Sequence, residues 1–116
     1  MQLTVDQRGD VRIVRVNEAK MTYPGLSSFF GAVRALVEGG ARRVVLDLRA
    51  VSYVDSATIG CLLDIHRLLQ ESTGVLRLAA LQPRVETMLS MTGVHKILAL
   101  HRSEEEALAA FGDARA

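Results

Sequence analysis

The stretch Val51-Ser52-Tyr53-Val54-Asp55-Ser56-Ala57-Thr58-Ile59-Gly60-Cys61-Leu62-Leu63 decides how this chain folds. Its first residues are set closely, as in a strand. From Ile59 onward the apolar positions, with Leu62, Leu63, His66 and Leu69, recur at three and four, as on one face of a helix. A strand therefore gives way to a helix within a few residues, and a hydroxyl, Ser56, stands at the junction. Its place just ahead of the helical period predicts an N-cap, with the side-chain oxygen facing backbone N–H groups that lack partners inside the helix.

Upstream of the junction, Arg43-Val44-Val45-Leu46-Asp47-Leu48 is a short apolar run between turn signals, the pattern of a strand buried on both faces at the sheet centre. Asp47 interrupts it and is expected to accept local backbone N–H bonds at the strand's end. Leu26, Phe29, Phe30, Val33, Leu36 and Val37 recur at helical spacing, and Gly39-Gly40 closes that helix. Pro24-Gly25 marks a turn or the helix's first turn, while Asn17 to Tyr23 shows no clear period. Residues 2–6 and 11–16 alternate around Gln7-Arg8-Gly9-Asp10, which reads as a hairpin.

Downstream, Ser72-Thr73-Gly74 ends the second helix and Val75 to Ala80 forms a strand. Pro83 starts a short helix with Val85, Met88 and Leu89 that stops at Thr92-Gly93, and Val94 to Leu100 supplies a last strand. Ser103-Glu104-Glu105-Glu106 reads as a capping box ahead of Ala107, Leu108 and Phe111, its glutamates favoured by the helix dipole. The order ββαβαβαβα predicts an α/β fold: a mixed, mostly parallel sheet with right-handed crossovers, an N-terminal β-hairpin and about four helices.

At 116 residues, 49% apolar and 23% charged, the chain is expected to be one globular domain spanning 1–116. A net charge of +1 with scattered arginines gives no basic stripe, so no nucleic-acid partner is expected. Met1-Gln2-Leu3-Thr4-Val5-Asp6 lacks a signal-peptide pattern, and no apolar run approaches the roughly 18 residues of a membrane span. A cytoplasmic location without direct membrane insertion is the expectation.

A single cysteine, Cys61, on an apolar helical stretch supports neither a disulfide nor a metal cluster and reads as a buried thiol. There is no phosphate-cradling Gly-rich loop, no His-x-x-x-His and no Gly-x-Ser-x-Gly elbow. His66, His95 and His101 are spread over separate elements, and His66, beside an apolar helix face, has no nucleophile placed near it. No catalytic residue, cofactor or metal is expected, and a small enzyme is the weakest reading.

Asp47-Leu48, then Val54-Asp55-Ser56, then Ile59-Gly60, together with Thr92-Gly93-Val94 and the glutamates from Ser103, resemble the STAS domain, specifically the bacterial anti-sigma factor antagonists. Their signature is an Asp-Ser-(Ser/Thr)-Gly-(apolar)-Gly junction after the central strand. The resemblance implies a non-enzymatic regulator whose serine after the aspartate, Ser56 here, is phosphorylated by a partner anti-sigma factor that is itself a serine kinase. In that scheme the unphosphorylated antagonist binds the kinase and frees a sigma factor, and a serine/threonine phosphatase restores it. The implied partner surface is Val54, Asp55, Ser56, Ala57, Thr58, Ile59 and Gly60, with Met21, Thr22 and Tyr23 nearby.

Two departures from the pattern bear on function. Thr58 replaces the signature's first glycine and offers an alternative acceptor hydroxyl. Ala19-Lys20-Met21-Thr22 replaces the usual Gly-Glu-(apolar)-Asp. A STAS accessory or scaffolding subunit of a membrane transporter or sensory complex is the alternative reading. A phosphoserine would add roughly −1.5 to −2 charges at the helix start. Dipole and free N–H groups there favour it by about 0.3–1 kcal/mol, against the neighbouring Asp55.

Overall fold

A computed structural model describes residues 1–112. The strands are β1 (Leu3–Arg8), β2 (Val11–Val16), β3 (Lys20–Met21), β4 (Arg43–Asp47), β5 (Tyr53–Val54), β6 (Val75–Ala79) and β7 (Ala99–His101). The helices are α1 (Leu26–Glu38), α2 (Ser56–Glu71), α3 (Pro83–Met91) and α4 (Glu104–Ala110), with short 3-10 turns at Tyr23–Gly25 and Val94–Lys96. Five strands form one sheet in the order β1-β2-β4-β6-β7, so β4 is central as its apolar run predicts. β1 and β2 pair antiparallel across the Gly9-Asp10 turn, and the remaining pairs are parallel.

The pleat assigns alternate residues of β4 to two different cores. Val44 and Leu46 join Val14, Val16, Leu76 and Leu78 beneath α1, α2 and α3, which contribute Phe29, Val33, Leu62, Ile65, Leu69, Val85 and Leu89. Val45 joins Val11, Ile13 and Ala79 on the opposite face, covered by Ala107 and Leu108 from α4 and by Phe111 at its C-cap. Burial on both faces is why β4 reads as an unbroken apolar run.

Two expectations are corrected. The segment after Gly93 does not run as a strand from Val94 to Leu100. Gly93 takes φ 82, Val94–Lys96 wind into a 3-10 turn, and pairing with β6 begins only at Ala99. Val94 and Leu98 are buried by that turn, which imitates the close-set apolar pattern of a strand. The aperiodic 17–23 stretch contains β3, which pairs in parallel with β5 as a separate two-stranded sheet, Lys20 opposite Tyr53 and Met21 opposite Val54.

Candidate functional site

The β3–β5 pair draws two distant stretches of chain into one surface. Ala19 O accepts from Ser52 N at 2.8 Å, Tyr53 N at 3.2 Å and Ser52 Oγ at 3.1 Å, so the strand entering α2 is laced to the segment entering α1. Ser56 is exposed at the first residue of α2, with Ala57 and Gly60 exposed beside it.

The cap of α2 is Asp55, not Ser56. Asp55 is the last extended residue, at φ −102 and ψ 176, and its Oδ1 accepts from Thr58 N at 2.8 Å. Its Oδ2 accepts from Tyr23 N at 2.9 Å. A carboxylate has two oxygens and can serve α2 and the 3-10 turn together; a serine hydroxyl has one. Ser56 is thereby displaced into the first helical position, its hydroxyl free of any hydrogen bond to the described residues. Burial pushes the Asp55 carboxyl up, but the bonds from Thr58 and Tyr23 outweigh it and hold it below the usual carboxylate range.

Thr58 stands where the signature has glycine, and it is fully buried. Its Oγ1 lies 2.6 Å from Met21 O and 2.7 Å from Asp55 Oδ1. A hydroxyl so enclosed has no open face for a phosphoryl group, which leaves Ser56 as the exposed hydroxyl of the junction. Among the other residues expected on this surface, Met21 and Val54 are buried in the core, Thr22 and Ile59 are half-buried, and Tyr23 is 72% exposed.

A groove of about 520 Å³ adjoins Ser56 between α1 and α2, walled by Tyr23, Pro24, Leu26, Phe30, Ala57 and Gly60. A Cβ at Gly60 would meet nothing within 4 Å, so this glycine keeps the groove open rather than permitting a backbone contact. Tyr23 and Pro24 of the groove carry no chemical motif, and only their exposure in the fold marks them. The Arg84 guanidinium stands 5.9 Å from the ring centre of Tyr53 on β5.

A second polar cluster lies where β2 and β4 end. Arg15 donates to Glu104 through Nε at 2.7 Å and Nη2 at 2.9 Å, fixing the start of α4 to the sheet. Asp47, 5% exposed, accepts from Arg49 N at 2.7 Å, the local bond its strand-end position predicts. Ser103 caps α4 by accepting from Glu106 N at 3.1 Å, as its sequence predicts, while Glu106 reaches back to Arg102 N at 3.2 Å.

A five-stranded sheet with three helices on one face and one helix on the other is the fold of a STAS domain. The chain belongs to the STAS domain family, whose model matches residues 2–107. It is 31% identical over 111 residues to BtrV of Bordetella bronchiseptica, a protein named as an anti-sigma factor antagonist, covering 96% of this chain and 95% of that one. A crystal structure from Thermotoga maritima, also named as an anti-sigma factor antagonist, superposes with a TM-score of 0.87 at 24% identity, covering 93% and 92% of the two chains. The anti-sigma factor antagonist SpoIIAA in its unphosphorylated form superposes with a TM-score of 0.80 at 17% identity over 95% and 96%. No helix among the described residues is long and apolar enough to cross a membrane.

Proposed function

We propose that this chain is a cytoplasmic anti-sigma factor antagonist, a binding module and not an enzyme, switched by phosphorylation at Ser56. In the unphosphorylated form it binds an anti-sigma factor that is itself a serine kinase, and a sigma factor is released. Phosphate on Ser56 ends that binding, and a serine/threonine phosphatase restores it. The observation that carries the reading is the exposed Ser56 hydroxyl at the head of α2, outside the hydrogen bonds that hold the fold and beside an open groove. The likeness to BtrV along nearly the whole chain supports the class of partner.

The phosphate acts by bulk and charge at the contact surface. Asp55 keeps the cap, so α2 does not depend on the serine that is modified. The test is recovery of the protein from its own cells with whatever co-purifies, followed by mass spectrometry. Phosphate on Ser56 and an ATP-binding kinase partner are expected, with Ser56→Asp losing that partner and Ser56→Ala retaining it. A transporter subunit in place of the kinase, or full binding by Ser56→Asp, would overturn the reading.

A further inference from the structure

We propose that Thr58 is a positioning residue that lets Ser56 carry a phosphate while Asp55 keeps its hold on both α2 and the 21–23 segment. The inference rests on the reading of Ser56 as the acceptor. A phosphate there and the Asp55 carboxylate compete for the N–H groups of the same first turn, and their charges repel. Asp55 withstands this through three donors: Thr58 N, Thr58 Oγ1 and Tyr23 N. Glycine, the signature residue at position 58, would supply only the first and leave the second absent.

The hydroxyl has one proton and two acceptors. Asp55 is an anion and Met21 O is a carbonyl, so at 2.7 Å and 2.6 Å the proton serves one or the other at a time. Added negative charge at Ser56 draws it to Asp55, strengthening the cap when the cap is challenged. The Met21 carbonyl then gives up this donor while the β3–β5 pairing continues to hold its strand. Complete burial of Thr58 keeps water from substituting for the hydroxyl.

The test encodes phosphoserine at position 56, so that no kinase is needed, and measures amide exchange at Tyr23, whose N–H reports its bond to Asp55. In the wild type and in Thr58→Ser, phosphate is expected to leave Tyr23 exchange within about twofold of the unphosphorylated protein. In Thr58→Val it is expected to accelerate exchange by about tenfold or more, the loss that goes with one hydrogen bond to a charged group. Thr58→Gly is expected to behave as Thr58→Val and covers the case in which valine impairs folding. A carbon-13 titration of Asp55 in the unphosphorylated proteins is expected to give a higher pKa in Thr58→Val and the wild-type value in Thr58→Ser.

Equal acceleration in the wild type and Thr58→Gly, or none in either, overturns the proposal. So does an Asp55 titration that ignores the hydroxyl. Absence of phosphate on Ser56 in cells would instead sink the switch and leave this comparison intact.

Discussion

Asp47 and Glu104 line one pocket where β2 and β4 end, and Arg15 donates to Glu104 there through two nitrogens. Burial, then the nearby Glu104, pushes Asp47 up to about 6. Hydrogen bonds from Arg15, then from Asp47, draw Glu104 down to about 2. Below about pH 6 Asp47 therefore keeps its proton while Glu104, held by Arg15, stays ionised. Arg49 beside Asp47 and Asp6 beside Arg15 complete the charged surroundings.

The pair makes stability depend on pH in a defined direction. Asp47 titrates above its unfolded value of 3.8, so its contribution is complete below that value and is lost as pH rises through about 6. Glu104 titrates below its ordinary 4.5, so its contribution is complete above that value and is lost as pH falls toward about 2. Asp47→Asn, which cannot ionise, is expected to melt higher than the wild type at pH 7.5, by about 1–3 kcal/mol of stability, and to show no decline between pH 5 and 7. Thermal unfolding across pH checks this; a wild-type curve flat from pH 5 to 7 would count against it.

At the head of α2 the two neighbouring cap formers separate cleanly. Asp55→Ala removes the acceptor for Tyr23 N, Thr58 N and Thr58 Oγ1, and is expected to cost about 1–3 kcal/mol by urea denaturation. Ser56→Ala is expected to change stability by less than about 0.5 kcal/mol. Equal losses for the two would mean that the serine shares the capping.

Two glycines, Gly60 within α2 and Gly74 in the turn that follows it, make opposite predictions. A Cβ at Gly74 would lie 2.5 Å from Arg42 O and 2.9 Å from Leu69 Cδ2, so Gly74→Ala forces backbone apart and is expected to cost about 2–4 kcal/mol. Gly60→Ala adds a methyl in open space within a helix and is expected to raise stability by about 0.5–1 kcal/mol, while partly filling the groove beside Ser56. Melting temperatures of the two variants settle both.

Cys61 is buried beside the groove, and burial, with Asp64 nearby, pushes its thiol up to about 11. At pH 8 its alkylation by iodoacetamide is expected to run at least about a hundredfold slower than that of a free cysteine. Modification at the rate of the unfolded chain would show that α2 opens readily.

The sequence carried whatever depends on neighbours along the chain. The hairpin, the helical face of Leu26 to Val37, the doubly buried β4 and the Ser103 cap all follow from local periodicity or from one side chain bonding a few residues away. β3 was illegible because two residues show no period and their partner strand lies far downstream. Asp55 and Ser56 are both good N-caps in isolation. The choice between them was made by Tyr23, whose amide needs the carboxylate's second oxygen. Arg15 and Glu104 carry no local sign of each other, and only the packing of α4 over β2 brings them together.

The pairing of Lys20-Met21 with Tyr53-Val54 means that the surroundings of Ser56 exist only after two remote parts of the chain have met. A synthetic peptide covering 50–63 would carry the serine without Tyr23 or the wall that α1 gives the groove. Under the switch proposed above, a kinase that recognises Tyr23 or the groove together with Ser56 would meet them side by side only in the folded chain. Under that switch, the signal would be tied to the integrity of its messenger, with only folded copies counted.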